Sequence, residues 1–269
     1  MKHYLRRGLL MSLAAGLCGV ATADFTAYND LACNTAAIEN LPAHVTGYQS
    51  LGFGWDESGE LVDFTTGAAT GVSVAVADSG NVILSTGGGD AAAGTDAANY
   101  FTGKLNFSHS PQNDTNEMWT HTVTFSGLKA GMQYEFVTYM NRGYAGMVPG
   151  GSHGPRWAKV KIEGADALIN DMVDGDDLVV DSDGQVRVNA GYNTTGTVVK
   201  WSGITADDGT FSVTASSVGD DTFIRDGVIS DDADAYGMFG FMLKETAIPE
   251  PTSLALLGLG GLALLRRKY

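Results

Sequence analysis

Short runs in which apolar and polar residues alternate recur along the middle of the chain. Residues 71–77 alternate at a period of two, and the pattern resumes at 82–85 after a turn-forming Asp-Ser-Gly-Asn stretch. Residues 120–125 and 133–139 show the same alternation on either side of a Ser-Gly-Leu-Lys-Ala-Gly connection. Because successive side chains of a strand point to opposite faces, each run predicts a half-buried β-strand.

Further runs of this kind predict more strands, and Gly and Asp turns separate them: 157–163, 185–190, 197–201, 210–215 and 236–244. The sequence has no long helical periodicity, so it lacks the crossover helices that a parallel sheet requires. Many short strands joined by turns predict an all-β fold, an antiparallel β-sandwich. The Gly- and Ala-rich stretch 86–95 predicts a flexible loop, and 171–184 is the one stretch that suggests a linker inside the body.

The N-terminus has the three parts of a secretory signal peptide. A start with three Lys and Arg residues precedes the apolar run 8–20, and an Ala-Thr-Ala site follows. We therefore expect residues 1–23 to form a signal helix that is removed after Ala23. A lipoprotein signal would need a small residue before Cys18, where the sequence has Leu17.

The C-terminus mirrors this arrangement with an apolar segment and a basic end. Residues 254–265 are twelve residues long, which as a helix is about 18 Å against the roughly 30 Å of a hydrocarbon core. This C-terminal hydrophobic helix is therefore a marginal span. Basic residues beside a span stay cytoplasmic, so both ends are expected in the inner membrane with the body outside. An amphipathic or core helix is the alternative, but the segment has no polar face.

The last 22 residues resemble the PEP-CTERM sorting signal of Gram-negative bacteria. The residues that carry this resemblance are a Pro-Glu-Pro triplet and a basic cluster on either side of the apolar segment: Pro249, Glu250, Pro251, Arg266, Arg267 and Lys268. The resemblance implies recognition by a membrane exosortase and transfer to the cell surface or extracellular matrix. The predicted organisation is a signal peptide over 1–23, a β-sandwich domain over 24–246 and a sorting segment over 247–269.

The body is strongly acidic once both terminal segments are set aside. Residues 24–246 hold 10 Lys and Arg against 30 Asp and Glu, a formal net charge of −20. This charge repels nucleic acid and anionic lipid, and it suits either cations or a hydrated exterior. Cys33 is the only cysteine left in the body. No disulfide can form within it, so Cys33 is either buried or paired with another molecule.

The stretch "VTFSGLKAGMQYEFVTYMNR" at 123–142 is similar to a strand–loop–strand unit of exported bacterial β-sandwich modules. Later segments, such as "WAKVKIEGAD" and "YGMFGFMLKE", look like further strands of the same module. The resemblance implies a galactose-binding-like jelly roll that accompanies PEP-CTERM tails in surface proteins. It implies no catalytic residues.

A run of acidic residues suggests a calcium loop. Six Asp residues lie between 171 and 183, and the candidate ligands among them are Asp174, Asp176, Asp181 and Asp183. Calcium takes six to eight oxygen ligands from flexible acidic loops. The EF-hand pattern is not met, because the closing Glu is missing. The alternative is a solvated turn between strands.

The segment 139–157 suggests a carbohydrate site, because sugars stack on aromatic rings and hydrogen bond to charged side chains. It is a Gly- and Pro-rich loop that leaves a strand end, a usual position for function. The candidate residues are Tyr139, Arg142, Tyr144, His153 and Trp157. The alternative is that Tyr139 and Trp157 anchor the core and Arg142 pairs with a surface carboxylate.

Catalytic patterns are weak in this sequence. A glycosidase needs two neighbouring carboxylates, and Glu135 and Glu163 are candidates only through their position in predicted strands. No G-x-S-x-G elbow and no pair of histidines at metal-binding spacing is present. The sequence therefore predicts an exported, non-enzymatic protein with a structural or adhesive role. The alternatives are a lectin-like module that binds extracellular polysaccharide with structural calcium, and a polysaccharide hydrolase.

Overall fold

Two large β-sheets make up most of the described chain. The computed structural model describes residues 24–31, 41–50, 57–80, 82–85, 91–113, 118–142, 156–193, 195–218, 224–225, 228–229 and 236–248. In chain order the strands are β1 Thr26–Asp30, β2 Val45–Thr46, β3 Ser58–Val62, β4 Ala69–Ser79, β5 Val82–Ser85, β6 Ser110–Asn113, β7 Thr120–Ser126, β8 Met132–Tyr139, β9 Trp157–Glu163, β10 Ala167–Ile169, β11 Leu178–Ser182, β12 Gln185–Asn189, β13 Val199–Thr205, β14 Thr210–Ser217, β15 Ile224–Arg225, β16 Val228–Ile229 and β17 Gly240–Ala247. The helix α1 is Asp96–Phe101.

The strands form one six-stranded sheet, one seven-stranded sheet and two small two-stranded sheets. The six-stranded sheet has the order β10-β13-β8-β17-β1-β2, and the seven-stranded sheet has the order β11-β12-β9-β14-β7-β4-β3. Every neighbouring pair in these sheets is antiparallel except β1 and β2, which pair in parallel over two residues. The strands β5 and β6 form one of the two-stranded sheets, with α1 between them in the chain, and β15 and β16 form the other.

The inner faces of the two sheets share one hydrophobic core. Phe125 of β7 and Phe211 of β14 lie on the seven-stranded sheet, and Phe136 of β8 and Phe241 of β17 lie on the six-stranded sheet. The ring of Phe125 is 4.8 Å from that of Phe211, 5.9 Å from that of Phe136 and 5.0 Å from that of Phe241. The two contacts across the core, with Phe136 and Phe241, are edge-on, which is favourable for aromatic pairs, so Phe125 joins the two sheets.

The helix α1 covers the outer face of the six-stranded sheet. Its buried residues Ala97 and Phe101 belong to a second hydrophobic cluster together with Val137 and Tyr139 of β8. Because side chains alternate along a strand, Phe136 faces the shared core while these two neighbours face α1. Thr95 caps the helix by accepting a hydrogen bond from the Ala98 amide at 3.3 Å.

The predicted all-β fold is confirmed, and most alternating runs lie in strands close to the expected bounds. The linker suggested at 171–184 is wrong, because it contains β11, which pairs with β12 in the seven-stranded sheet. The two sheets are antiparallel, as predicted, apart from the two-residue parallel pair β1–β2. The proposed signal helix and C-terminal helix lie outside the described residues. Within the described ranges, no helix has the length and apolar character needed to cross a membrane.

Candidate functional site

A cavity of about 400 Å³ lies on the outer side of the six-stranded sheet. This volume is within the roughly 300–1,000 Å³ of small-molecule sites. We call it the β13 cavity, and its lining residues are Asp96, Asp171, Met172, Val173, Gly175, Leu178, Thr195, Gly196, Thr197, Val198, Lys200 and Ser202. They come from the start of α1, the loop before β11, the first residue of β11, the loop before β13 and β13 itself.

The β13 strand supplies part of the lining because its side chains alternate between two faces. Val199 and Trp201 point into the shared core, so Lys200 and Ser202 point outward. The Trp201 indole Nε1 donates to the Asp183 carbonyl at 2.8 Å. This hydrogen bond links β13 to the residue that directly follows β11. The core packing of β13 therefore orients the two polar side chains toward the cavity.

The loop before β13 is fixed by a buried asparagine. The Asn193 side-chain amide donates to the carbonyls of Met140 at 3.2 Å and Thr197 at 2.7 Å. Its side-chain oxygen accepts from the Thr197 amide at 2.9 Å. Gly196 has φ of 65°, and a Cβ there would overlap Thr95, so this position favours glycine. The Gly196 carbonyl accepts from the Ala97 amide at 3.0 Å, which joins this loop to α1.

Lys200 is the cation of the cavity, and two partners hold its ammonium. Its Nζ donates to the Tyr100 hydroxyl at 3.1 Å and lies 3.3 Å from Glu135 Oε2. The hydrogen bond to Tyr100 and the charge of Glu135 raise the pKa of Lys200 above its ordinary value, against the opposing effect of partial burial. The Lys200 amide also donates to Met172 Sδ at 3.2 Å, which places the thioether in the wall.

The hydroxyl groups of the cavity form a short chain that leads to a buried carboxylate. The Thr195 hydroxyl donates to Asp177 Oδ2 at 2.7 Å and lies 2.7 Å from the Thr197 hydroxyl. The second oxygen of Asp177 accepts from Asn189 Nδ2 at 3.0 Å. Because the Thr195 proton is used by Asp177, the hydroxyl chain presents lone pairs rather than protons toward the cavity.

Two of the aromatic residues proposed from sequence for carbohydrate stacking are buried. Tyr139 is 1% exposed and Trp157 is 3% exposed. The Tyr139 ring lies 5.8 Å from Phe107 and 5.9 Å from Phe239, within the cluster under α1. This placement corresponds to the core-anchor alternative for Tyr139, while Trp157 is buried but is not among the described residues of either hydrophobic cluster. Tyr144 and His153 lie outside the described residues.

Arg142 and a second arginine, Arg156, both hydrogen bond to the side chain of Tyr236. The Tyr236 hydroxyl accepts from Arg142 at 2.8 Å and from Arg156 at 2.6 Å. Both guanidinium groups also lie over the Tyr236 ring, with their Cζ atoms 5.0 Å and 5.4 Å from its centre. The sequence analysis placed Arg142 in a candidate site, but nothing in the sequence pattern indicated that Tyr236 would join it.

The acidic run contributes hydrogen bonds within the protein. Asp174 Oδ1 accepts from the Val180 amide at 2.8 Å, and Asp181 forms an ion pair with Arg187. Asp176 is exposed, and Asp183 uses its backbone carbonyl to hold the Trp201 indole. In the part of the chain that the structure describes, no three His, Cys, Asp or Glu side chains gather as a metal-binding group. The calcium ligands expected from sequence are therefore not brought together.

The two candidate catalytic carboxylates lie on different sheets. Glu135 is on β8 of the six-stranded sheet and pairs with Lys200 of the β13 cavity. Glu163 is on β9 of the seven-stranded sheet, is exposed, and pairs with Lys161 at 2.5 Å. Each of the two carboxylates therefore forms an ion pair with a lysine.

A buried histidine is a polar feature that the sequence analysis did not single out. His121 lies on β7 and is 1% exposed, with its Nε2 atom 3.9 Å from Asp78 Oδ1. Neither ring nitrogen has a hydrogen-bond partner among the described residues. Burial lowers the pKa of His121, and the Asp78 charge opposes part of this effect. His121 alternates along β7 with Val123 and Phe125, so its side chain points to the same buried face as theirs.

Comparison with known proteins identifies the C-terminal segment alone. The family model of the PEP-CTERM protein-sorting motif matches residues 247–268. This match includes the triplet and the basic cluster predicted from sequence, all of which lie outside the described residues. The comparison with curated proteins and the comparison with solved structures yield no match.

Proposed function

We propose, from the PEP-CTERM motif at residues 247–268, that an exosortase delivers this chain to the extracellular matrix, where it has a structural or adhesive role. The motif itself marks an exported cell-surface protein of Gram-negative bacteria. In this proposal the chain crosses the inner membrane while its two basic ends remain on the cytoplasmic side. The protein acts there without catalysis.

The body suits an extracellular structural role through its core and its charge. Its two sheets share an aromatic core around Phe125 and Phe136, and its formal net charge of −20 over 24–246 keeps the surface hydrated. A body with one cysteine depends on such a core rather than on disulfides. The jelly-roll topology of galactose-binding-like modules remains part of the proposal.

A second candidate function is the binding of extracellular polysaccharide by a lectin-like module. The observation that favours it is the β13 cavity, which combines carboxylates, hydroxyls, an ammonium and apolar side chains. Structural calcium belongs to this alternative as well. The two functions are compatible, because a matrix protein can be both sorted by its tail and attached to polymer by its body.

Replacing Pro249, Glu250 and Pro251 together with Ala is expected to abolish surface delivery. The triplet and the basic cluster are the two features that distinguish the matched segment from any apolar end, so loss of the triplet removes one of the two. The measurement is the fraction of chain that external protease degrades on intact cells that contain exosortase. The Ser253→Ala variant is the matched control and should be degraded as the wild type is. Equal degradation of the triplet variant would contradict the proposal.

A further inference from the structure

The lining of the β13 cavity is rich in acceptors and negatively charged. The carboxylates of Asp96 and Asp171 accept hydrogen bonds only, and no ion pair to either is found among the described residues. The charge of Lys200 is offset by Glu135. The cavity therefore favours a ligand that donates hydrogen bonds and carries positive charge, and it disfavours an anion.

Other groups in the lining require a ligand that also accepts hydrogen bonds. Lys200 has three ammonium protons, and the described partners are the Tyr100 hydroxyl and Glu135. Ser202 adds a hydroxyl beside it on β13. A simple polyamine can donate hydrogen bonds, but it has no hydroxyl oxygens that could accept them from Lys200 and Ser202. A hydroxyl-bearing ligand can do both.

The apolar part of the lining completes this description. Met172, Val173 and Val198 border the polar groups, and Val173 is 78% exposed at the rim. A pyranose ring has C–H faces that pack on apolar side chains while its edge bears hydroxyls. We propose that the β13 cavity binds a saccharide unit with an unacetylated amine, such as the hexosamine of an amine-bearing polysaccharide. This inference rests on the saccharide-binding candidate function and is independent of the sorting proposal.

The ligand class is tested by nuclear magnetic resonance titration of the purified full chain in detergent with small probes. Glucosamine is expected to shift resonances of cavity residues at lower concentration than glucose or N-acetylglucosamine. Glucuronate should bind at least about tenfold more weakly than glucosamine, because the carboxylates of Asp96 and Asp171 repel its own carboxylate. Equal binding of glucuronate, tighter binding of putrescine at the same residues, or no shift with glucosamine would each overturn the proposal.

The position of the site is tested by a matched pair of substitutions in one loop. Asp171→Asn should weaken glucosamine binding by about tenfold, since the Asn oxygen still accepts a hydrogen bond but no longer carries the charge that strengthens it. Asp176→Asn removes the same charge from an exposed residue of the same loop that does not line the cavity. That control should bind as the wild type does. Equal weakening by both variants would show a general charge effect and overturn the site.

A bulky substitution provides a second test that does not depend on charge. Ser202→Phe places a ring on the outer face of β13, where it occupies the cavity, and should abolish the glucosamine shifts while the amide spectrum stays folded. Retained binding in a folded Ser202→Phe protein would overturn the assignment. These measurements use purified chain, whereas the sorting proposal is tested by surface delivery in cells, so each can fail separately.

Discussion

Replacing Phe125 with Ala is expected to lower the free energy of unfolding by about 3–5 kcal/mol. Phe125 is 0% exposed, and its ring contacts Phe211 within its own sheet and Phe136 and Phe241 across the core. Truncation removes the transfer free energy of the ring and leaves a space between two sheets that cannot close fully. The loss should therefore be among the largest for any single substitution in the chain.

Urea denaturation followed by circular dichroism measures this loss. The matched control is Thr124→Ala, the neighbouring residue of β7, whose side chain is exposed on the opposite face. It should change the free energy of unfolding by no more than about 1 kcal/mol. If the two variants unfold at the same urea concentration, Phe125 does not join the two sheets as described.

Acid is expected to destabilise the protein through His121 before most carboxylates titrate. Burial lowers the pKa of the folded His121 ring, while the unfolded ring keeps a value near 6.5. As pH falls below about 6.5, the unfolded chain takes up a proton that the folded chain does not, so stability falls. The slope from this residue is at most about 1.4 kcal/mol per pH unit, and its contribution to stability is fully present above that range.

The measurement is the free energy of unfolding at several values between about pH 5 and pH 7, for wild type and for His121→Leu. The variant should lose the His121 part of the slope, whatever its stability at neutral pH. Burial also lowers the pKa of His109, so some slope should remain, and the difference between the two proteins isolates His121. Identical slopes would show that the folded His121 ring takes up its proton over the same pH range as the unfolded ring, and so that burial does not lower its pKa.

The strands were predictable because alternation is a local property. The strand β9 has the predicted bounds of 157–163, and β7 extends the predicted run 120–125 by one residue. The strand β1 was not predicted, because four of its five residues are buried and two of these are Asn29 and Asp30. Their burial depends on distant partners, such as the Asn106 amide that donates to Asp30 at 2.7 Å. Such partners cannot be recognised in a short polar sequence.

The candidate site was less predictable than the fold for a related reason. The β13 cavity joins Asp96, Asp171 and Lys200 from three segments that are far apart in the sequence and meet only through tertiary packing. The sequence analysis instead favoured Tyr139 and Trp157, whose rings are buried. Aromatic residues in strands of a two-sheet protein supply most of the core area, so an aromatic cluster in the sequence marks packing before it marks ligand binding.

The C-terminal motif could be identified without any structure, because a sorting signal is read as a linear segment. Residues 247–268 contain the triplet, the apolar run and the basic end in that order. Where the protein acts is therefore inferred from its tail, and what it binds is inferred from the β13 cavity.

The most direct test of this account is mass spectrometry of the chain recovered from cells with and without exosortase. The account predicts that the surface fraction of exosortase-containing cells yields a chain without residues 1–23 and without the basic end at 266–268. Cells that lack exosortase should retain the basic end on a membrane-bound chain. Recovery of the intact 269-residue chain from the cytosol of exosortase-containing cells would contradict the account.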